Sequence, residues 1–539
     1  MACKKLFLCL LFPSLMFSNP AQGTIEQREQ FEKQKEVFEK LEQKQHPNTF
    51  RYETEKPALL TEEEAPCFHI TTIKDEGITL LSRAEKNFLY DQYIEKCNSL
   101  AELSNLAKHL TALYIEKGYI TSQVYIKPQN IAQGEIILYA TEGKIATISP
   151  KKRYISNAFW GEEGAFLNIR NLENAMETIN RLPSNRASMD LLPSSQVGYS
   201  DIYIKNTATN RINGTIGINN FGTKQTGDKQ GSLTLNIDNP LDINDQFSLN
   251  LNSTNQHFKN ENSLGDGYQY SFPFGRLLTT LSYRKSSYKQ FIYGGINQYT
   301  SKGNTQTHAL SFNYKLFHNV SHKVTLGSSL SRYQTENYIS NALIETSSYK
   351  LSKAGLMVDY LYQTSGMYFY TALNYTKGTD WFHATNPTNL NEHYHLYTID
   401  LALFKRVDKF QYSLNGHFQY SPHQLFSTNQ ISIGGHYSVR GYQKEGLSGN
   451  TGFFLRNELS YLSPVHWFGA LSPHYFVGFD YGEIKKEEDT NGGSLFSSVL
   501  GLKLQKDSLN ASLYYAMPLR KRDVAKHQNF FGLSVHYRF

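Results

Sequence analysis

The chain of 539 residues is 40% hydrophobic and 14% aromatic but only 19% charged, with a formal net charge of +6 and a mean hydropathy of −0.49. A bundle of membrane helices needs repeated apolar stretches of about 20 residues, and none occurs beyond residue 17, while a chain this rich in Tyr, Phe, Leu and Ile buries too much apolar surface to be disordered. What remains is a large soluble β protein or a membrane β-barrel, whose alternating lipid-facing and lumen-facing residues combine low hydropathy with many aromatics.

Residues 1–23 read as a secretory signal. Lys4 and Lys5 precede an apolar run from Leu6 to Phe17 that is too short to span a membrane and is broken by Pro13, and Ala21-Gln22-Gly23 supplies a small-residue cleavage site. With Lys4 and Lys5 gone, the 54 basic residues fall to 52 against 48 acidic ones, which argues against nucleic acid as a partner. Cys3 and Cys9 leave with the signal, so Cys67 and Cys97 remain, and an even pair in an exported chain reads as one disulfide. Closing that loop would stabilise its module by about 3 to 4 kcal/mol. The alternative is two free thiols or half of a metal site, for which further ligands at metal spacing are lacking.

Residues 24–45 are strong helix formers with a sparse apolar stripe at Phe31, Phe38 and Leu41. At ~1.5 Å per residue the rod is roughly 33 Å long. It is either a solvated or coiled-coil stalk or a plug in a polar lumen. Residues 46–66, with Pro47, Pro57, Pro66 and the run Glu62-Glu63-Glu64, read as a linker.

Two small α/β modules follow, at 67–143 and 144–208. The first is expected to hold strands at 68–73, 121–127 and 134–141 and a helix at 99–118. The second is expected to hold strands at 144–149, 188–192 and 201–205 and a helix at 171–181. Their sheet edges are free to add a strand from an extended client chain.

From 209 to 539 the pattern predicts sixteen alternating strands, from 211–221 to 529–539, with members at 306–316 and 322–332. An even count suits an antiparallel barrel with both ends in the periplasm. In the last strand Phe531, Leu533, Val535, Tyr537 and Phe539 alternate with Gly532, Ser534, His536 and Arg538, and similar alternation recurs at 496–504 and 509–517. A soluble sandwich explains one such strand; a single cylinder explains all three. A chain ending in Tyr537-Arg538-Phe539 also resembles the terminal signal by which outer-membrane barrels are recognised for assembly.

A loop at 421–450 contains Gly434-Gly435-His436-Tyr437-Ser438-Val439-Arg440-Gly441-Tyr442, and a Gly-rich loop of this length with few charges is disordered or folded against something. Downstream, period two puts Tyr475, Val477, Phe479 and Tyr481 towards lipid and Gly478, Asp480 and Gly482 inside. The two glycines leave room for another segment to approach the wall. A guanidinium forks onto a carboxylate better than any other side chain, so Arg440 is expected to reach Asp480. Gly-x-Ser-x-Gly, His-Glu-x-x-His, P-loop and dinucleotide fingerprints are all missing, so neither an enzyme, a cofactor nor a metal is expected.

Val439-Arg440-Gly441-Tyr442 with Gly478-Phe479-Asp480-Tyr481-Gly482 resembles the paired motifs of the outer-membrane transporters of two-partner secretion, the haemolysin and haemagglutinin secretion and activation family. Pro66-Cys67-Phe68, Cys97, Arg170-Asn171-Leu172-Glu173, Asn180-Arg181-Leu182-Pro183 and Arg456-Asn457-Glu458-Leu459 agree with that resemblance, and Asn171 departs from it where an acidic residue is more usual. The resemblance implies a sixteen-stranded transmembrane barrel in the outer membrane, preceded by a lumen plug helix at 24–45 and two periplasmic POTRA domains. It also implies an inward-folding loop at 421–450 anchored by Arg440 on Asp480. The implied partner is one large secreted exoprotein, a haemolysin, adhesin or contact-dependent toxin. The other implied contacts are outer-membrane lipid, periplasmic chaperones and the barrel-assembly machinery, around a monomer without nucleic acid. A barrel-assembly factor of the wider superfamily shares the Arg-Gly motif, but two modules rather than five count against it. A diffusion porin would not need about 140 residues of periplasmic α/β structure.

Overall fold

The computed structural model describes residues 66–539 apart from 224, 255–260, 295, 320, 444–445, 468–470, 489 and 521–527. The signal, the helix expected at 24–45 and the linker up to residue 65 lie outside the described residues.

Module one runs β1 (Cys67–Ile70), β2 (Thr72–Glu76), α1 (Arg83–Tyr90), β3 (Lys96–Ser99), α2 (Leu100–Glu116), β4 (Gln123–Tyr125) and β5 (Glu135–Thr141). The strand expected at 68–73 is two strands: the Thr71 N–H turns away to the Gly134 carbonyl at 2.8 Å, so β1 pairs with β3 while β2 joins a sheet in the order β2-β5-β4. Helix α1 was not foreseen, although Ser82 and Glu85 form a capping box at its start, as Ser99 and Glu102 do for α2. Ile70, Leu103, Leu106, Leu110, Tyr114 and Leu138 make a fully buried core. Cys67 and Cys97 are joined by a disulfide across β1 and β3, their Cα atoms 5.3 Å apart.

Module two runs β6 (Lys144–Ser149), α3 (Arg153–Ala158), α4 (Ile169–Asn180), β7 (Ala187–Pro193) and β8 (Tyr199–Asn206), with sheet order β6-β8-β7. The unforeseen α3 is a six-residue turn of helix. Helix α4 starts at Asn168, whose side chain accepts from the Arg170 N–H, and buries Leu172, Ala175 and Ile179.

The barrel is built of β9 (Ile212–Asn219), β10 (Gln230–Asp238), β11 (Gln246–Thr254), β12 (Asn262–Phe274), β13 (Leu277–Gly294), β14 (Asn297–His318) and β15 (His322–Ile339). After a short hairpin extension, β16 (Ala342–Leu343), it continues through β17 (Tyr349–Gln363), β18 (Met367–Thr379), β19 (His395–Val407) and β20 (Phe410–Tyr420). Inside the long loop lie β21 (Ile431–Ile433) and β22 (Leu447–Gly449), paired with each other alone. The wall is completed by β23 (Gly452–Leu462), β24 (Ser472–Ile484), β25 (Gly493–Lys506), β26 (Leu509–Pro518) and β27 (Phe530–Arg538), which closes on β9. Omitting β16, β21 and β22, sixteen strands form a closed antiparallel cylinder, as the alternation predicted. Outward Phe531, Leu533 and Tyr537 are exposed while inward Ser534 is buried. Among the described residues no helix is long and apolar enough to cross a membrane.

Candidate functional site

The chain leaves the wall at Tyr420, at the end opposite the modules, and re-enters it at Gly452. Between these points the β21–β22 ribbon lies against β23 and β24 on their inner face. The return is made by Gly434 (φ +120°), Gly435 (φ +87°) and Gly441 (φ +93°), backbone positions that side-chain-bearing residues rarely adopt. The Gly434 N–H donates to Ser438 Oγ at 2.8 Å, closing the first turn. Ile431, Ile433, Val439 and Tyr442 then pack with Phe454, Ile484 and Leu495 of the wall, an apolar contact that fixes how far the tip descends.

This packing delivers Arg440 to the wall. Its Nε donates to Asp480 Oδ2 at 2.6 Å and its Nη2 to Asp480 Oδ1 at 2.8 Å, the fork expected, and its backbone N–H adds a third bond to Oδ2 at 3.1 Å. Both side chains are essentially excluded from solvent, with relative exposures of 1% and 0%. The guanidinium also lies 5.9 Å from the Phe476 ring centroid and 5.7 Å from that of Tyr514, within range for cation–π attraction. The glycines on either side of Asp480 make the approach possible. A Cβ on Gly478 would stand 2.9 Å from Arg440 Nη2, and one on Gly482 would stand 2.9 Å from Val439 Cγ2.

Five further residues complete the cluster. Glu458 on β23 accepts from Arg440 Nη1 at 2.6 Å and, through its other oxygen, from Lys503 Nζ on β25 at 2.7 Å. Arg456 Nη1 donates to the His436 carbonyl at 2.6 Å, and its Nη2 lies 3.6 Å from Glu458. The His436 ring stacks on Phe221 at 3.5 Å, with its Nδ1 2.9 Å from the Tyr514 hydroxyl. Tyr442 donates from its hydroxyl towards the carbonyls of Phe496 and Arg520, at 2.8 and 2.9 Å. In the sequence Glu458 stands out only as part of the motif Arg456-Asn457-Glu458-Leu459, with no partner assigned to it, and Lys503 carries no signal of its own; Arg456 and Glu458 two residues apart on the inner face of one strand are the clue to the cluster.

The remaining residues of the sequence reading lie apart from this cluster. Tyr537 points outwards, and Phe539 exchanges two backbone hydrogen bonds of 3.0 Å with Gly214 at the seam. Module two is tied to the barrel mouth by Glu177 of α4, which faces Lys315 at 2.9 Å and Lys323 at 2.6 Å. Burial alone would raise the Glu177 carboxyl, but the two lysines outweigh it and hold it well below the usual carboxylate range. Asn171, the departure noted above, accepts from Arg276 of the β12–β13 turn and donates to Glu162. Neutral Asn171 thus bridges barrel and module where a carboxylate would have paired with the arginine directly. Among the described residues no group of three or more His, Cys, Asp or Glu is placed to hold a metal ion. The arrangement can grip a loop and a module; it offers no poised nucleophile.

The model of the haemolysin secretion/activation protein family ShlB/FhaC/HecB matches residues 198–504, and POTRA models match 68–143 (ShlB-type) and 134–193. The haemolysin transporter protein ShlB of Serratia marcescens is 30% identical over 469 residues, covering 85% of this chain and 83% of that one. The outer membrane transporter CdiB of Escherichia coli is 27% identical over 537 residues, covering 95% and 89%. A solved structure of CdiB from Escherichia coli superposes with a TM-score of 0.85 at 25% identity, over 95% of this chain and 99% of the other. The chain belongs to the haemolysin secretion/activation protein family ShlB/FhaC/HecB, outer-membrane transporters that export a large exoprotein by two-partner secretion.

Proposed function

We propose that the chain is a passive, loop-gated conduit for one exoprotein, received as an extended polypeptide by strand addition on the two periplasmic modules and threaded through the barrel lumen. The observation that carries this reading is the dry Arg440–Asp480–Glu458 clamp, which holds an outer loop inside a closed cylinder standing on those modules. Residues 24–45 serve as a plug that the client displaces; many charges and few apolar groups give it a weak hold on the lumen. Folding of the client outside supplies direction, and no catalytic step takes part. The transporter acts as a monomer in outer-membrane lipid. It reaches the membrane through periplasmic chaperones and the barrel-assembly machinery, with Tyr537 and Phe539 as the terminal signal.

Deleting the chain should abolish appearance of one large exoprotein in the medium and leave the general set of outer-membrane proteins unchanged. A broad loss of outer-membrane proteins would instead identify an assembly factor. For the plug, an engineered disulfide between residues 24–45 and the lumen wall should stop export until it is reduced; undiminished export under oxidising conditions removes the plug from the mechanism.

A further inference from the structure

Module two grips the rim of the barrel wall from both sides. On the lumen side, Glu177 meets Lys315 and Lys323, and Arg181 Nη1 donates to Ser271 Oγ at 3.0 Å. These partners face inwards by strand register, since their neighbours Tyr314, Leu326 and Phe272 belong to the outward rows. At the rim itself, Asn157 Nδ2 donates to the carbonyls of Ile243 and Pro273 at 2.8 and 2.7 Å, and the Gly275 N–H donates back to the Asn157 carbonyl at 3.1 Å. Asn244 Nδ2 adds a bond of 2.6 Å to the Tyr154 carbonyl.

On the outer side stands Trp160, three residues beyond Asn157 and 64% exposed. Its ring centroid is 4.6 Å from that of Phe274. Phe274 ends the aromatic run Tyr268, Tyr270, Phe272 and Phe274 on the outward face of β12, a row whose members nearer the outer end include Leu264 and Asp266. At the same end of the barrel, Leu316 and Phe317 of β14 are also exposed. The Trp160 ring extends the lipid-facing surface of the barrel without a break.

We propose that Trp160, stacked on Phe274, inserts into the headgroup and glycerol zone of the inner leaflet, making module two a membrane-interface contact as well as the mouth of the conduit. The chemistry fits a phospholipid boundary: the indole has a large apolar face for acyl chains and an N–H for the ester and phosphate oxygens. The clasp explains why the contact is obligatory. With Glu177 held inside the rim and Asn157 on it, α3 cannot move Trp160 away from the wall unless the module undocks.

The chain has three tryptophans, Trp160, Trp381 and Trp467, so Trp381→Phe with Trp467→Phe leaves Trp160 as the sole emitter. The full-length chain carrying these changes is reconstituted in phospholipid vesicles, with a Trp160→Phe derivative as the blank. Emission should be blue-shifted, resistant to aqueous acrylamide, and lost most strongly when bromines sit on the acyl chain close to the glycerol. Emission at the fully hydrated wavelength, quenched by acrylamide and untouched by brominated lipid, would overturn the proposal, as would quenching strongest from bromines at the bilayer centre.

Discussion

Arg440 is an arginine rather than a lysine because it has three jobs at once: two donors to Asp480, one to Glu458, and a flat face between Phe476 and Tyr514. A lysine has the charge but a single point of contact. Removing one partner of a buried pair costs about 3 to 5 kcal/mol, which lowers the ratio of docked to undocked loop by roughly two to four powers of ten. Arg440→Ala and Asp480→Ala should therefore both abolish export while the barrel still inserts, as seen by heat-shifted gel mobility, and Arg440→Lys should recover only a minor part. Normal export by either alanine variant would dismiss the clamp. Gly482→Val tests the same contact without touching a charge. Its Cβ meets Val439 Cγ2 and the Phe453 carbonyl, neither of which is the free end of a long side chain, so the loop must lift and export should fall as it does for Arg440→Ala.

At the scale of elements, the disulfide and α4 make separable predictions. Reducing Cys67–Cys97 frees a 30-residue separation in sequence and should destabilise module one by about 3 to 4 kcal/mol, read as earlier thermal unfolding of that module with the barrel unaffected. Helix α4 binds the barrel through Glu177, whose carboxyl is held far below its ordinary value, so the contribution is fully present above about pH 4.3 and is lost only as pH falls through the lowered value. Docking of module two, followed by protease protection of residues 206–211, should thus survive mild acid, whereas Glu177→Gln should expose that segment at neutral pH by leaving Lys315 and Lys323 without their carboxylate. The wall strands were legible in the sequence because one face meets lipid and the other does not. Where that contrast ends the alternation fades too: β14 and β15 run past the strands expected at 306–316 and 322–332 through Asn297–Thr305 and Tyr333–Ile339, where the hairpin has left the apolar zone. Helix α1 escaped because among its eight residues only Tyr90 is buried, so its capping box was the only sign of it. Asp480 stood out between two glycines, whereas Glu458 lay on an inner face where polar residues are ordinary and only tertiary packing marks it as buried.

At the scale of the whole molecule, two routes for an extended chain are conceivable, down the lumen or through a parted wall, and the seam separates them. The β27–β9 ladder that closes the cylinder has five paired positions, Ser534↔Asn219 to Arg538↔Thr215, against eight in the adjoining β9–β10 and β26–β27 ladders. It is supplemented by the two Gly214–Phe539 bonds and by Asn220, whose side chain accepts from the Leu533 N–H at 2.8 Å and donates to the Phe531 carbonyl at 2.7 Å. The seam is therefore the part of the wall that parts at least cost. Sixteen strands already enclose a channel wide enough for water and side chains, and the clamped loop lies on the inner face of the wall, so passage down the lumen needs the loop to shift and no wall ladder to break. Asn219→Cys with Ser534→Cys staples the seam at a directly paired position. Export should continue under oxidising conditions at its reduced-state rate; arrest on oxidation with recovery on reduction would show that the wall itself must open.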